Sequence, residues 1–329
     1  MPDPDADALP RGFTDLRLSR TTVGEVSLRV RVGGSGPPLL LLHGYPETHL
    51  AWALVAGDLA EQFTVVAPDL RGYGDSTAPP RLPGHEGAGK RAMAADCVAL
   101  MAGLGFDRFD VAGHDRGGRV GYRMALDSPA AVRRLTVMDV VPTAEVWARA
   151  DDRFALAYWH WGFLAQPYPV PERIVGRDPE SFLFDAEFGG VIRGFPPAAV
   201  ADYARCARDP ATVEAMCEDY RAGATCDRRD DDEDRAAGRR IACPTQVLWD
   251  GRGPLAVWYD TLAVWRDWAD DVTGRALDCG HFLVEERPRE VLAALRAFHA
   301  EGTTAGETTA EGTTAGGTTA GGTVPARVT

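Results

Sequence analysis

The sequence of 329 residues lacks the long apolar runs that membrane proteins need. Its apolar segments fall well short of the roughly 18 consecutive residues that cross a bilayer. Residues 1–7 are acidic and contain proline, without the apolar core of a signal peptide. These absences predict a cytoplasmic protein that does not bind membranes.

Cysteine pairs with the spacing of metal or redox motifs are also missing. No two of the six cysteines form a CxxC pair, and none stands at a ligand spacing from histidine. The six are Cys97, Cys206, Cys217, Cys226, Cys243 and Cys279. We expect free buried thiols, and the sequence predicts no metal and no cofactor.

The sequence has fewer basic than acidic residues. There are 35 Lys and Arg residues against 48 Asp and Glu, which gives a net charge of −13. This balance argues against a nucleic acid partner, because polyanions bind basic surfaces. The same field repels small anions, so an anionic substrate would need a local cationic pocket.

Apolar runs alternate with helical patterns along most of the chain. Residues 26–32 alternate between apolar and polar residues, which is typical of an antiparallel strand with one solvated face. The other segments typical of strands are 39–42, 63–67, 108–112, 135–138, 245–249 and a segment near 272–277. The helical patterns cover 49–61, 90–104, 117–127 and 288–299. The alternation predicts an α/β fold with a mostly parallel, doubly wound sheet.

Between residues 142 and 243 this alternation stops. The segment is rich in aromatic residues and helical patterns, with proline and glycine breaks. We predict a helical lid over the carboxyl ends of the strands, inserted between the two core segments 13–141 and 244–300. An acidic run at 228–235, near the end of the lid, is expected to be a solvated linker and not a metal site.

Both ends of the chain are predicted to lie outside the fold. Residues 1–12 are expected to be flexible. Residues 301–320 hold four near-repeats of a pentapeptide of Thr, Ala, Gly and Glu, without any large apolar residue. Such repeats cannot compensate the entropy of ordering, so 301–329 is predicted to be a disordered tail.

A candidate nucleophile follows the strand at 108–112. Residues 113–118 are Gly-His-Asp-Arg-Gly-Gly, between that strand and a helix. A small residue on each side of a nucleophile in this place is typical of the nucleophile elbow of the α/β-hydrolase fold, where glycines permit a strained turn. Because Asp115 stands where serine is usual, the expected chemistry is attack on a saturated carbon.

The base and acid of a catalytic triad can also be assigned. His281 follows the last predicted strand, where the histidine of this fold arrives, and the chain order of nucleophile, acid and histidine fits. Asp139 and Asp250 each end a strand that can reach His281, and we favour Asp139. The backbone N–H groups of Tyr45 and Arg116 are the candidate oxyanion hole.

Residues near Asp115 and in the lid restrict the class of substrate that the site could accept. An Asp nucleophile would form an alkyl ester that a water activated by His281 then hydrolyses, so the leaving group is a halide or an epoxide oxygen. Arg116 and Arg119 lie three residues apart on the first helical turn and could clamp a substrate carboxylate. In the lid, the N–H groups of His160 and Trp161 are donors suited to a departing halide.

The chain resembles the fluoroacetate (haloacetate) dehalogenases of the α/β-hydrolase superfamily over about residues 14–299. The motifs that carry the resemblance are HGYP at 43–46, DLRGYGDS at 69–76, GHDRGGR at 113–119, YWHW at 158–161, GFLAQP at 162–167, CEDYRAGA at 217–224 and GHFL at 280–283. Tyr45 departs from the commoner phenylalanine, and residues 186–200 match poorly.

The resemblance implies a role for each site residue and a homodimeric assembly. Asp115 would be the nucleophile, His281 the base and Asp139 the acid. Arg116 and Arg119 would bind the substrate carboxylate. The implied halide pocket consists of His160, Trp161 and Tyr220.

The sequence therefore predicts a hydrolytic dehalogenase of short 2-haloacids, which converts haloacetate, fluoroacetate included, and water to glycolate and halide. An epoxide hydrolase with the same Asp nucleophile is the first alternative. It would need two lid tyrosines to protonate the epoxide oxygen, and usually an aromatic residue in place of Arg116. A remote alternative is a non-catalytic protein that binds small acids on a hydrolase scaffold.

Overall fold

The computed structural model describes residues 9–300, except for the side chain of residue 193, and its centre is an eight-stranded sheet. The strands are β1 (Arg17–Val23), β2 (Val26–Gly34), β3 (Pro38–Leu42), β4 (Thr64–Pro68), β5 (Phe109–His114), β6 (Val132–Met138), β7 (Thr245–Asp250) and β8 (Val272–Leu277). Their order is β1-β2-β4-β3-β5-β6-β7-β8. Strands β3 to β8 run parallel, and β1 and β2 join them as an antiparallel edge. The predicted fold class is confirmed, whereas β1 was not predicted.

Helices cover the sheet and fill the segment between β6 and β7. They are α1 (Arg11–Thr14), α2 (Ala56–Leu59), α3 (Lys90–Gly103), α4 (Arg116–Asp127), α5 (Thr143–Ala148), α6 (Asp152–Ala157), α7 (Trp159–Leu164), α8 (Val170–Val175), α9 (Pro179–Ser181), α10 (Pro197–Ala207), α11 (Pro210–Ala224), α12 (Cys226–Ala236), α13 (Pro254–Trp258), α14 (Thr261–Trp268), α15 (Leu283–Glu286) and α16 (Pro288–Ala300). Further helical turns, of the 3-10 or π type, are His49–Trp52, Glu86–Ala88, Phe182–Glu187 and Gly189–Gly194.

One predicted helix, 49–61, is broken in two. The chain forms a turn of 3-10 helix at His49–Trp52 and then α2. Val55 lies between them with a φ of −128°, outside the helical range. A β-branched residue loses side-chain freedom in a helix, which favours a break at this position.

The apolar run at 39–42 shows how the sheet forms two cores. All four leucines of β3 are fully buried. Leu39 and Leu41 pack into one apolar cluster, and Leu40 and Leu42 into the other. Since successive strand residues point to opposite faces, a continuous apolar run is what a strand covered on both faces requires.

Parallel strands gather the candidate catalytic residues at one edge of the sheet. β5, β6, β7 and β8 are successive neighbours, so their carboxyl ends lie side by side. Asp115 follows β5, Asp139 follows β6, Asp250 ends β7 and His281 lies in the loop after β8. Residues far apart in sequence therefore converge because of the order of the strands.

The acidic run at 228–235 is not a solvated linker. It lies in α12, where Asp230, Asp231 and Asp234 are buried. Arg123 of α4 donates to Asp231 at 2.8 Å and to Asp234 at 2.5 Å, and Tyr122 donates to Asp231 at 2.9 Å. Helical spacing places these carboxylates on one face, so the run binds the lid to the core by buried ion pairs.

The two ends and the cysteines give further results. Leu9 is buried and α1 begins at Arg11, so the fold starts earlier than the expected boundary at residue 13. The expected tail at 301–329 lies outside the described residues. All six cysteines are free thiols, and all but Cys243 are buried. Within residues 9–300, the helices are too short or too polar to cross a membrane.

Candidate active site

Asp115 sits at a strained turn between β5 and α4. Its φ is +42°, in the left-handed region that a residue with a side chain rarely adopts. Glycines on both sides make the turn possible. A Cβ on Gly113 would lie 2.4 Å from the carbonyl oxygen of Gly117, and one on Gly117 would lie 2.2 Å from that of Leu42. Because these backbone segments approach so closely, the turn is tight, and the Asp115 side chain projects beyond the carboxyl end of β5.

His281 lies between two carboxylates. Its Nδ1 is 2.5 Å from Oδ2 of Asp139, and its Nε2 is 3.9 Å from Oδ1 of Asp115. The backbone N–H of Tyr45 donates to the other Asp115 oxygen, Oδ2, at 3.3 Å. One carboxylate oxygen of Asp115 therefore faces the imidazole and the other faces a backbone donor.

Asp139, and not Asp250, is the carboxylate that contacts His281. Asp250 contributes its backbone N–H, which donates to Oδ1 of Asp139 at 2.7 Å. Burial and the charge of Asp139 raise the pKa of the Asp250 carboxyl to about 7. Asp250 thus holds Asp139 in place through its main chain.

This difference predicts unequal effects of two isosteric substitutions. We expect Asp139→Asn to lower turnover about a thousandfold or more, because a neutral amide cannot stabilise the imidazolium or fix its tautomer. Asp250→Asn keeps the backbone N–H and should change turnover by less than about tenfold. The measurement is kcat of both purified variants with chloroacetate, which belongs to the substrate class that the sequence predicts. A larger loss in Asp250→Asn than in Asp139→Asn would contradict the assignment.

The charges of the site set the protonation of its two central groups. Burial alone would raise the pKa of Asp115, but the positive charges of His281, Arg116 and Arg119 outweigh it and hold that pKa well below its usual range. Burial lowers the pKa of His281, yet its hydrogen bond to Asp139 and the negative charge of Asp115 raise it to about 9. At neutral pH the resting site pairs an ionised Asp115 with a protonated His281.

These groups open into a cavity of about 350 Å³ between the strand ends and the lid. The predicted site residues that line it are Tyr45, Asp115, Arg119, Asp139, His160, Trp161, Tyr220 and His281. Lid and core thus supply the cavity jointly, as a lid over the carboxyl ends of the strands requires.

The two arginines of the elbow are placed differently. Arg119 lines the cavity and donates from Nη1 to the Val141 carbonyl at 2.9 Å. Arg116, expected to face the same cavity, is not among the lining residues. Its guanidinium carbon lies 3.6 Å from the ring centre of Tyr220, and its Nη1 is 3.5 Å from Asp219. The buried carboxylate draws Arg116 behind the Tyr220 ring, where its nitrogens have no hydrogen-bond partner among the described residues.

The lid side chains form an aromatic wall. His160 stacks on Tyr45 with ring centres 6.2 Å apart and meets Tyr220 edge-on at 5.6 Å. The guanidinium carbon of Arg119 lies over the Trp161 ring, 4.7 Å from the centre of that ring. Burial and the nearby Arg116 lower the pKa of His160 to about 3, so this imidazole is neutral.

Two site residues were not identified from the sequence. His114, inside the elbow motif, donates from Nε2 to the backbone carbonyl of His281 at 2.8 Å, and its Nδ1 is 3.1 Å from Glu47. Glu187 lines the cavity from the lid, 3.6 Å from Nδ1 of His160. His114 stands next to the candidate nucleophile, which was a usable signal. Glu187 lies in a segment without a motif.

Comparisons with known proteins place this site in a family. Residues 37–288 match the sequence profile of the alpha/beta hydrolase fold. The chain belongs to the α/β-hydrolase family. A structure of a Nostoc protein assigned to the α/β hydrolases superposes on this one with a TM-score of 0.85 and 45% identity, covering 87% of this chain and 99% of that chain.

Two curated relatives of this α/β-hydrolase carry named activities. A fluoroacetate dehalogenase from Burkholderia sp. is 44% identical over 279 residues, which cover 84% of this chain and 91% of the relative. A soluble epoxide hydrolase from Corynebacterium sp. is 32% identical over 297 residues, 87% of this chain and 98% of the relative. The resemblance inferred from the motifs is confirmed, and the chain is a hydrolase.

Proposed function

We propose that this α/β-hydrolase cleaves the carbon–halogen bond of short 2-haloacids, with haloacetates, fluoroacetate included, as substrates. The observation that carries the proposal is the Asp115 carboxylate, raised on its strained turn into a cavity that has Arg119 on its wall. An aspartate nucleophile suits attack on saturated carbon, and a guanidinium suits a substrate carboxylate. The fluoroacetate dehalogenase among the relatives supports the same substrate class.

In the first step, Oδ1 of Asp115 attacks the carbon that carries the halogen. A carbon–oxygen bond forms, the carbon–halogen bond breaks, and the halide leaves with the bonding electron pair. The step needs no proton transfer, so the resting ion pair of Asp115 and His281 is competent as it stands. The N–H donors of His160 and Trp161 and the Tyr220 hydroxyl would stabilise the departing halide.

In the second step, water hydrolyses the ester. Ester formation removes the negative charge of Asp115, one of the causes of the raised pKa of His281. The imidazole therefore releases its proton more readily once the ester exists, and its Nε2 can then deprotonate the attacking water. The developing oxyanion on Oδ2 meets the N–H of Tyr45. Its collapse breaks the bond between the ester oxygen and the Asp115 carbonyl carbon, and the imidazolium protonates the departing oxygen, so that glycolate leaves. The Asp115 carboxyl then gives its proton to His281, which regenerates the resting ion pair, and the proton that His281 first released to solvent is the acid formed with the halide.

The two arginines are assigned different parts in this scheme. Arg119 binds the substrate carboxylate directly, since it lines the cavity. Arg116 acts through its positive charge, which lowers the pKa of Asp115 and attracts the anionic substrate into an otherwise acidic protein.

A conservative change of Arg119 tests carboxylate binding. We expect Arg119→Lys to raise KM for chloroacetate about tenfold or more, because the planar pair of donors is lost while the charge remains. Chloroacetamide, which has no carboxylate, is the matched control substrate and should lose little. Kinetics with both substrates give the comparison. An equal rise in KM for chloroacetate and chloroacetamide would show that Arg119 does not bind the substrate carboxylate.

Epoxide hydrolysis is the second candidate, and one observation favours it. Tyr158 and Tyr220 both line the cavity, so two lid hydroxyls are available to protonate an epoxide oxygen. Two assays separate the candidates: halide release from chloroacetate and diol formation from styrene oxide. We expect turnover of chloroacetate only. Diol formation without halide release would replace the dehalogenase proposal with the epoxide hydrolase.

A further inference from the structure

The lid carries a buried carboxyl group that the scheme above does not use. Glu187 ends the helical turn Phe182–Glu187 and lines the cavity. Its side chain is only 5% exposed, and its Oε1 has no hydrogen-bond partner among the described residues. A buried carboxyl without a partner is costly, so its place beside the site needs an explanation.

The imidazole of His160 lies close to this carboxyl. Oε2 of Glu187 lies 3.6 Å from Nδ1 of His160, slightly too long for a hydrogen bond. Contacts within an active site are often long without substrate and shorten when it binds. A closure of a few tenths of an ångström would join the two groups.

The protonation of both groups fits such a bond. Burial and the negative charge of Asp115 raise the pKa of Glu187 to about 8, although His281 opposes this, so the carboxyl is neutral at pH 7. The tyrosines that face it, Tyr45 and Tyr220, are uncharged because burial raises their pKa values well above the usual range. A neutral carboxyl donates one hydrogen bond.

A neutral imidazole carries a single N–H, and its location decides what the ring can do. With the hydrogen on Nδ1, the single N–H of His160 would donate to Glu187, and the ring could not donate to a halide. With the hydrogen on Nε2, the opposite edge of the ring is a donor. The hydrogen bond made by one ring nitrogen selects which of these two forms is present.

Resting on the dehalogenase function proposed above, we propose that Glu187 is a positioning residue for the leaving group. Its carboxyl donates a hydrogen bond to Nδ1 of His160 and so presents the Nε2–H of that ring to the departing halide. Fluoride, the poorest leaving group of the halides and the strongest hydrogen-bond acceptor, depends on this donor most.

Glu187→Leu and Glu187→Gln are the test variants, because leucine removes the donor and glutamine keeps one that cannot ionise. Glu180→Gln is the control, since Glu180 is an exposed lid glutamate paired with Arg208. The measurement is the rate constant of halide release in the first turnover, with fluoroacetate and with bromoacetate. These two rate constants are called the fluoride burst and the bromide burst. We expect Glu187→Leu to lower the fluoride burst about tenfold or more, in line with other residues that orient a functional histidine, and the bromide burst by a smaller factor. Glu187→Gln and Glu180→Gln should stay close to the parent enzyme at pH 7.

The pH profile adds a readout that a merely structural role would not change. Above about pH 8 the ionised Glu187 accepts a hydrogen bond instead of donating one, which draws the His160 hydrogen to Nδ1. The fluoride burst of the parent enzyme should therefore fall near pH 8, and that of Glu187→Gln should not. The titration of His281 near pH 9 is common to both proteins.

A measurement without turnover keeps this inference separate from the proposed function. Nitrogen-15 NMR of the histidine rings, recorded with acetate bound as an unreactive analogue of the substrate, should show His160 with its hydrogen on Nε2 in the parent enzyme and a mixture of both forms in Glu187→Leu. The same form in both proteins, or equal loss of fluoride and bromide bursts in Glu187→Leu, would overturn the role of Glu187. Absence of halide release by the parent enzyme would instead overturn the dehalogenase function, and the NMR result would still decide the hydrogen bond.

Discussion

Replacing Asp115 by asparagine is expected to lower halide release by a factor of about 10⁴ or more, because removal of a nucleophile abolishes the covalent route. The neutral amide oxygen is a far weaker nucleophile than the carboxylate. That carboxylate is held ionised by His281, Arg116 and Arg119. The measurement is fluoride or chloride release by the purified variant, compared with the parent enzyme at the same pH.

The fold should survive this change. Asparagine is among the residues that best tolerate a positive φ, such as the +42° at this turn. Thermal unfolding followed by circular dichroism should therefore still give one cooperative transition, although the loss of the charge that interacts with His281, Arg116 and Arg119 removes some stability. A folded Asp115→Asn variant with normal halide release would show that another group attacks the substrate.

Replacing His281 by asparagine should separate the two steps. Attack by Asp115 needs no base, and Arg116 and Arg119 still keep the carboxylate ionised. Hydrolysis of the ester does need the base, because water must lose a proton as it attacks. We expect one equivalent of halide per active site, followed by no further turnover.

The trapped ester can be detected directly. After incubation with chloroacetate, the peptide that contains Asp115 should be heavier by one carboxymethyl group in His281→Asn and unmodified in the parent enzyme. Asp115→Asn/His281→Asn is the matched control and should remain unmodified. Steady turnover by His281→Asn, or an unmodified peptide after halide release, would contradict a two-step reaction through Asp115.

Much of the catalytic geometry follows from local sequence and strand order. The glycines around Asp115 predict a tight turn, and the close backbone contacts of Gly113 and Gly117 explain why. Asp139 and His281 come to Asp115 because parallel strands end at one edge of the sheet. The preference for Asp139 over Asp250 agrees with the 2.5 Å contact to His281.

Other parts of the site depend on packing between distant segments, which sequence patterns do not specify. Arg116 turns behind Tyr220 because Asp219 of α11 lies there. Glu187 belongs to the poorly matching segment 186–200, and only the folded lid brings it beside His160. The acidic face of α12 was missed because its partner Arg123 lies on a different helix, although the helical spacing of its carboxylates was a usable signal.

The most direct test of the account is a single turnover of fluoroacetate in water enriched in oxygen-18, with enzyme in excess over substrate. The account predicts one fluoride and one glycolate per substrate molecule, with the heavy oxygen in the Asp115 carboxylate and none in the new hydroxyl group of glycolate. Heavy oxygen in that hydroxyl group after the first turnover would show direct attack by water on the substrate. No fluoride release from folded enzyme would contradict the dehalogenase function itself.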